Sequence, residues 1–562
     1  MVEVHLQGKL IPVSKGTTLK ALAATGTDGT VTDPKTGRRY PILAAIVDNK
    51  LKELGYEIFS PHEIEFIGYA HPDGRRTYIR SLTMILQWAV RKVFPGKTLM
   101  LHHSLPSGLY CEVSSDGIKA DKLSDADIAL LKEEMKRIIE ADVHFTKEKM
   151  LASEAEALFE KGGQPLKAEL QRSVGRYFCS VYRLGEMPDS LHGPLCWSTG
   201  GLGVFDLLPF CDGLCLQYPS DDDITKVIPY REQKKLSDTL REYGKWCINT
   251  GIVSVGSLNR TLLDGGAVKL INLSEARQER EYAAIADKIA AEKDRIRIVF
   301  LAGPSSSGKT SSALRIAQQL RVLGLNPKVI ELDNYFVSRD RTPKDEDGHY
   351  DFEALEAMDL ELLGNHLNTL LDGGAVEVPR YDFKKGEPFF EGNTMSLGPD
   401  DILIMEGIHA LDPAMVPSVD QTRIFRVYAS ALTSLRLDEN TNISTTDNRL
   451  LRRMVRDNRT RGITPEDTII RWPSVRRGEN RYIFPFQENA DAQFNSALLY
   501  ELPLLKYYAE PLLRRILPTS PAYTVAVRLL KFLEYIVALQ PSEIEAIPPT
   551  SILREFIGGQ TL

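Results

Sequence analysis

Cysteine is scarce in this sequence. Its 562 residues hold six, Cys111, Cys179, Cys196, Cys211, Cys215 and Cys247, and none lies in a Cys-x-x-Cys pair. No signal-peptide pattern opens the chain, so these read as reduced thiols of a cytoplasmic protein rather than a disulfide framework. Long apolar runs are missing too: no stretch of about 18 apolar residues occurs, so nothing is expected to span a membrane. Neither a Pro-rich nor a Gly/Ser-rich tether interrupts the chain, which predicts docked domains. The net charge of −7 argues against a dedicated nucleic-acid coat. Lysine is absent from residues 449–481, which hold ten arginines. With 43% hydrophobic and 26% charged residues the composition is that of a globular protein, and the length predicts several domains.

What is present is organised around Arg297–Thr310, RIVFLAGPSSSGKT. Ile298 to Ala302 form an apolar run suited to a buried parallel strand. The run breaks into Gly303-Pro304-Ser305-Ser306-Ser307-Gly308-Lys309-Thr310, a GxxxxGK[ST] pattern. A helical pattern follows through Ala313, Ile316, Ala317 and Leu320, ending at Gly324. Strand, glycine loop and helix in that order form an anion cradle. Backbone N–H groups and a helix N-terminus face one point, Lys309 reaches the β/γ-phosphates, and the Thr310 hydroxyl ligates Mg²⁺. Gly303, Ser305, Ser306, Ser307, Gly308, Lys309, Thr310 and Ser311 are therefore the expected ATP-binding set. Further strands are expected at Lys328–Leu332, leading to Asp333, at Asp401–Met405, leading to Glu406, and at Arg423–Ala429. Alternating strands and helices predict a doubly wound parallel sheet, with ligands at its carboxyl rim. Asp333 then lies on the same rim as the phosphate loop, and Glu406 suits a Walker-B-like Mg²⁺ ligand or a partner of Lys309. Arg449, Arg452, Arg453 and Arg456 share one helical stripe, and arginine suits bidentate grip on phosphate.

GPSSSGKT, LDNYF, HYDFEALEAMD, VPRYDF, DDILIMEGIHAL and RRMVRDNRTRG, in this order, resemble the uridine–cytidine kinase and phosphoribulokinase family. The resemblance implies Asp333 as catalytic base, with Asp351 on ribose hydroxyls and Tyr381 near the nucleobase. It also implies a lid in which Arg456 meets transition-state charge while Arg453 and Arg461 contact substrate or phosphate. Two positions depart from the family: its base-reading histidine falls at Gly386, and a further lid arginine falls at Ile463. Pyrimidine recognition does not carry over, and Lys384 or Lys385 is left as either a contact to another group or a solvated surface lysine.

In the first half, MVEVHLQGKLIPV alternates as a half-buried strand does, and PILAAIVD with Leu51–Leu54 reads as a strand pair around Asp48-Asn49. This stretch resembles the ubiquitin-like TGS module of threonyl-tRNA synthetases. The segments after it, including FPGKTLMLHHSLPSGLYCEV, resemble the second additional, editing-type domain of those enzymes. That family's HxxxH and CxxxH positions read Arg80, Met84, Leu191 and Leu195 here, so editing hydrolysis is not expected. His102, His103 and Cys111, and Cys211 and Cys215 with His192, read as side chains without a metal.

The resulting expectation is a multidomain α/β and α+β protein. A β-grasp-like module spans 1–68, an editing-type α+β domain 69–225, a helical connector 226–294, a doubly wound parallel-sheet P-loop kinase 295–515 and a helical tail 516–562. Its expected activity is ATP- and Mg²⁺-dependent phosphoryl transfer to an alcohol, first a nucleoside 5′-hydroxyl and second another sugar- or cofactor-like alcohol. An RNA- or tRNA-associated protein that uses ATP as a switch is the rival from another class. RNA or small-ligand binding by the first half, and a homo-oligomer contact through the tail, stay open.

Overall fold

The computed structural model describes all residues except 7, 35, 222, 345–347 and 349, so the His349 that opens the HYDFEALEAMD segment lies outside the described residues. Val2–Leu6 buries alternate residues, pairs antiparallel with Lys9–Val13 and runs parallel to Glu63–Ile67. The last of these strands pairs with Ala44–Val47, which turns back to Lys50–Lys52 through Asp48 and Asn49. Both turn residues have positive φ, 48° and 56°. Asn and Asp tolerate that region, and a two-residue turn of this hand matches strand twist.

Next comes the helix Pro72–Val93, buried along Leu82, Met84, Ile85 and Leu86. It lies beside a four-stranded antiparallel sheet of Thr98–Leu105, Gly108–Ser114, Gly213–Gln217 and Asp206–Phe210. At the four positions expected to match editing residues, Met84, Leu191 and Leu195 are buried apolar side chains. The fourth, Arg80, donates from Nη1 to the Pro194 carbonyl at 2.5 Å. A Cβ on Gly193 would stand 2.7 Å from that guanidinium, so only glycine leaves Arg80 its place.

The second half holds five parallel strands, β1 (Ile298–Ala302), β2 (Asn326–Glu331), β3 (Asp401–Glu406), β4 (Ile424–Ser430) and β5 (Ala492–Asn495), in the order β2-β3-β1-β4-β5. β1, β3 and β4 are buried throughout, as strands covered on both faces must be. Five helices matter below: α1 (Lys309–Val322), α2 (Thr445–Arg461), α3 (Pro465–Tyr482), α4 (Glu501–Leu513) and α5 (Tyr523–Leu533).

The two halves are interlocked rather than strung together. The segment between β4 and α2 enters the first half, where the Glu439 carboxylate accepts from the backbone N–H groups of Leu166 (2.6 Å) and Lys167 (3.1 Å). Asn440 donates to the Leu99 carbonyl at 2.9 Å and accepts from Gln87 at 3.0 Å. Lys167, fully buried, pairs with Asp189 and lies 3.7 Å from Asp438. The Leu166 and Lys167 N–H groups open the helix Pro165–Val174, so the Glu439 carboxylate satisfies donors that have no partner within the helix.

The tail closes the circle. Arg528 of α5 pairs with Asp447 in the first turn of α2, and Thr524 donates to the Asn49 carbonyl of the Ala44–Lys52 hairpin at 2.8 Å. Ile552, Leu553, Phe556 and Ile557 belong to the same apolar core as residues of α2, α3 and α4. Among the described residues no helix is long and apolar enough to cross a membrane.

Candidate active site

β1 delivers the phosphate loop and α1 leaves it, as the pattern of apolar run, glycines and helix predicts. Two glycines are sterically obligatory. A Cβ on Gly303 would stand 2.0 Å from the Ala429 carbonyl oxygen of β4. Gly308 has φ +82°, and its Cβ would stand 2.3 Å from Ile552 of the tail. Ser306 takes φ +59°, which turns the loop without a glycine. The Ser306 and Ser307 hydroxyls are buried without a hydrogen-bond partner. Together with the open N–H groups of the first turn of α1, they are the loop's unsatisfied polar groups.

A buried framework holds the outer side of the loop. Glu479 of α3 accepts the Ser305 N–H at 2.9 Å and pairs with Arg449, whose Nη1 donates to the Ser305 carbonyl at 3.1 Å. Arg452 donates to the Ser306 carbonyl at 3.3 Å and to Glu501 of α4 at 2.7 Å. Ser496 donates to the Ser307 carbonyl at 2.6 Å. Arg449 and Arg452 are thus fully buried braces of the loop's carbonyls. Arg453, the next residue on the stripe, donates to the Ser305 hydroxyl at 2.7 Å. Arg456 lies against Asp457 at 2.9 Å and 4.0 Å from Glu555 of the tail, while the half-exposed Arg461 lies 3.6 Å from Asp457. Ser311, one residue after Thr310, donates to Glu555 at 2.6 Å and accepts from Gln560 at 2.8 Å.

At the sheet rim, Thr310 donates to the Glu406 carboxylate at 2.6 Å. Burial pushes Glu406 up to about 7, and the Lys309 ammonium opposes that push. A hydroxyl and a buried carboxylate in contact, with excess negative charge about them, are a donor set that fits Mg²⁺. Asp333 sits in a short 3₁₀ turn, Leu332–Tyr335, directly after β2. Burial raises its carboxyl above the usual range, with the positive charges of Lys309 and Arg461 acting against the rise. Lys309, Asp333 and Glu406 therefore share one rim.

Of the two residues expected on the acceptor side, Asp351 accepts the Glu353 N–H at 3.0 Å, and Tyr381 stacks edge-on to Phe336 and Phe383. Lys384 and Lys385 are exposed, and their backbone N–H groups, not their side chains, turn back to Asp382.

Three carboxylates at the site escape sequence reasoning. Glu479 and Glu555 have no local pattern that betrays them. Glu353 lies in the HYDFEALEAMD segment, and burial together with the charge of Glu479 pushes it up to about 7. Its signal was indirect: a Cβ on Gly478 would stand 2.7 Å from the Glu353 side chain, so that glycine admits it.

The family model described as phosphoribulokinase / uridine kinase matches residues 298–499. A uridine kinase of Macrococcus caseolyticus is 32% identical over 195 residues, 34% of this chain and 85% of the relative. The chain belongs to the phosphoribulokinase / uridine kinase family. It is a kinase, and the doubly wound sheet around Gly303–Thr310 is its kinase fold. Elsewhere, a threonine–tRNA ligase of Rubrobacter xylanophilus is 27% identical over 165 residues toward the N-terminus. That match covers 29% of this chain and only 25% of the ligase. Among solved structures, one titled a possible uridine kinase from Bacillus stearothermophilus aligns with 26% identity and a TM-score of 0.23. It covers 27% of this chain and 80% of its own.

Proposed function

We propose that this kinase moves the γ-phosphoryl group of ATP to an alcohol, in the first instance a nucleoside 5′-hydroxyl, with Mg²⁺ as cofactor. The observation that carries the reading is the shared rim of Lys309, Asp333 and the Thr310–Glu406 pair beside the phosphate loop. In this reading Asp333 accepts the proton of the acceptor hydroxyl, whose oxygen attacks the γ-phosphorus while the bond to the β–γ bridging oxygen breaks. Lys309, the loop N–H groups and the hydroxyls of Ser306 and Ser307 hold the phosphates. Thr310 and Glu406 would hold Mg²⁺, which when bound neutralises charge on the phosphate oxygens. Arg453 orients the loop through Ser305, while Arg456 and Arg461 meet charge on the transferring group once drawn from Asp457. Asp351 and Tyr381 line the acceptor side. For the first half, the hairpin-and-helix sheet supports a β-grasp-like module over 1–68. The half-buried Arg80 and the buried Met84, Leu191 and Leu195 support a domain over 69–225 without editing chemistry. The connector (226–294), kinase (295–515) and tail (516–562) boundaries belong to the same proposal.

The test is ATP consumption by the full chain against nucleosides and other alcohols, with Asp333→Asn beside it. Acceptor-stimulated turnover that the substitution abolishes supports the reading. Stimulated turnover that survives in Asp333→Asn removes Asp333 as the base, and ATP binding without stimulation by any alcohol removes the acceptor assignment.

A further inference from the structure

The hairpin of Arg380–Asp382 and Glu387–Phe389 carries Gly386 in its turn, at φ +79°. A Cβ there would stand 2.7 Å from Nε and 2.8 Å from Cζ of Arg339. The guanidinium therefore fills the space that a side chain at 386 would take. It is fixed from the hairpin itself: the Arg339 N–H donates to the Gly386 carbonyl and Nη2 to the Phe383 carbonyl, each at 2.8 Å. Among the described residues no carboxylate forms an ion pair with it.

Around this cation stands an aromatic wall. Phe336 lies 5.6 Å from Tyr381 and 6.1 Å from Phe352 between ring centroids, and Tyr381 lies 5.1 Å from Phe383. Phe383 stays 59% exposed, an open apolar face. Tyr381 is 7% exposed, yet its hydroxyl has no hydrogen-bond partner, and the Arg339 charge acts on it. Phe336 directly follows the turn that carries Asp333, which puts this aromatic cluster next to the base.

A buried hydroxyl without a partner is costly, and a positioned guanidinium with no carboxylate partner among the described residues is open to an anion. The planar fork matches carboxylate and phosphate oxygens, which a tyrosine hydroxyl can also meet as donor. We propose that Arg339 and the Tyr381 hydroxyl bind an anionic group, carboxylate or phosphate, on the acceptor alcohol, away from the hydroxyl that Asp333 deprotonates. The inference rests on the kinase reading above and sharpens its acceptor: an alcohol that carries its own negative charge. Arg339 takes part in no bond change; it determines specificity.

Matched acceptor pairs test it on the full chain with ATP and Mg²⁺: orotidine against uridine, ribose 5-phosphate against ribose, and glycerate against glycerol. The charged member of at least one pair is expected to be the better acceptor by kcat/KM. In Arg339→Ala its KM should rise about 10- to 100-fold, the scale of a lost charge-assisted hydrogen bond. Arg339→Lys should recover part of that loss and Tyr381→Phe should show a smaller one, while the KM for ATP stays put in all three. Orotidine and ribose 5-phosphate distinguish carboxylate from phosphate. Turnover of neutral alcohols alone, or a charge preference that survives in Arg339→Ala, overturns the anion site and leaves the kinase reading standing. Turnover of no acceptor, with ATP still bound, removes both.

Discussion

Burial lifts the Asp333 carboxyl above the ordinary aspartate range, and this has a kinetic signature. A base must be unprotonated to work, so activity is lost as pH falls through its raised pKa. The acid limb of the kcat profile is therefore expected above the ordinary aspartate value of about 4. Asp333→Asn should lower kcat by about 10²- to 10⁴-fold and remove that limb, with ATP binding retained. Initial rates from about pH 4.5 to 8 for both proteins check this; a limb that persists in the variant assigns it to another group. Gly308 is the second residue with a sharp expectation. Its φ of +82° and the Ile552 methyl at 2.3 Å from a would-be Cβ both oppose any side chain. Gly308→Ala is expected to destabilise by about 1–3 kcal/mol and to weaken ATP binding, read by denaturant midpoint and by titration with ATP.

At the scale of elements, α2 carries the clearest lesson. Its arginine stripe lies just where the sequence puts it, but the side chains divide by depth. Arg449 and Arg452 are buried braces, while the less buried Arg453, Arg456 and Arg461 gather around Asp457. Removing one partner of a buried pair leaves a naked charge, so Arg452→Met is expected to cost about 3–5 kcal/mol. The double variant Arg452→Met/Glu501→Leu should recover much of that loss, and urea unfolding of both variants measures it. Parallel strands, phosphate loop, the strand-end Asp333 and Glu406 are legible in sequence because each is written within a dozen neighbouring residues. The division of α2 is not. Its deciding partners, Glu479 and Glu501, stand 30 and 49 residues downstream, and helical period alone cannot distinguish a buried arginine with a carboxylate from a solvated one. Arg339 was hidden for the same reason, since Gly386 announces a missing side chain but not what fills the space. The segment between β4 and α2 was silent as well, because Asp438, Glu439 and Asn440 look like any polar loop until the first half surrounds them.

Over the whole molecule, the kinase sheet, the first half and the tail share polar and apolar contacts that none satisfies alone. Residues 295–515 expressed by themselves would leave Glu439 and Asn440 without Leu166, Lys167 and Leu99, and α2 without Ile552 and Phe556. That fragment is expected to be insoluble or to unfold well below the full chain, as thermal melts of the two would show. Buried histidines give a second molecular test. Burial pushes His103 and His192 down to about 3, and His192 packs against Phe532 and Tyr535 of the tail. Their folded values lie below the unfolded one, so the stability of the neutral form is complete above about pH 6.5 and is lost as pH falls toward 3. Glu353, Glu406 and Glu439, raised to about 7, act with the opposite sign. The histidine share is therefore read as a difference: His192→Gln should lose less Tm than the parent between about pH 6.5 and 5.

The contact of Ile552 and Glu555 with the phosphate loop also bears on how this enzyme comes into being. A ribosome makes Ser311 244 residues before it makes Glu555, and the sheet strands in between can associate as they emerge. Until the tail follows, Gly308 has no Ile552 over it and Ser311 no carboxylate to hold. A nascent chain stalled after Asn495 and before Ile552 would hold all five strands of the sheet but an unfinished phosphate loop. Translation thus delays the enzyme's competence to spend ATP until Ile552 and Glu555 have been made.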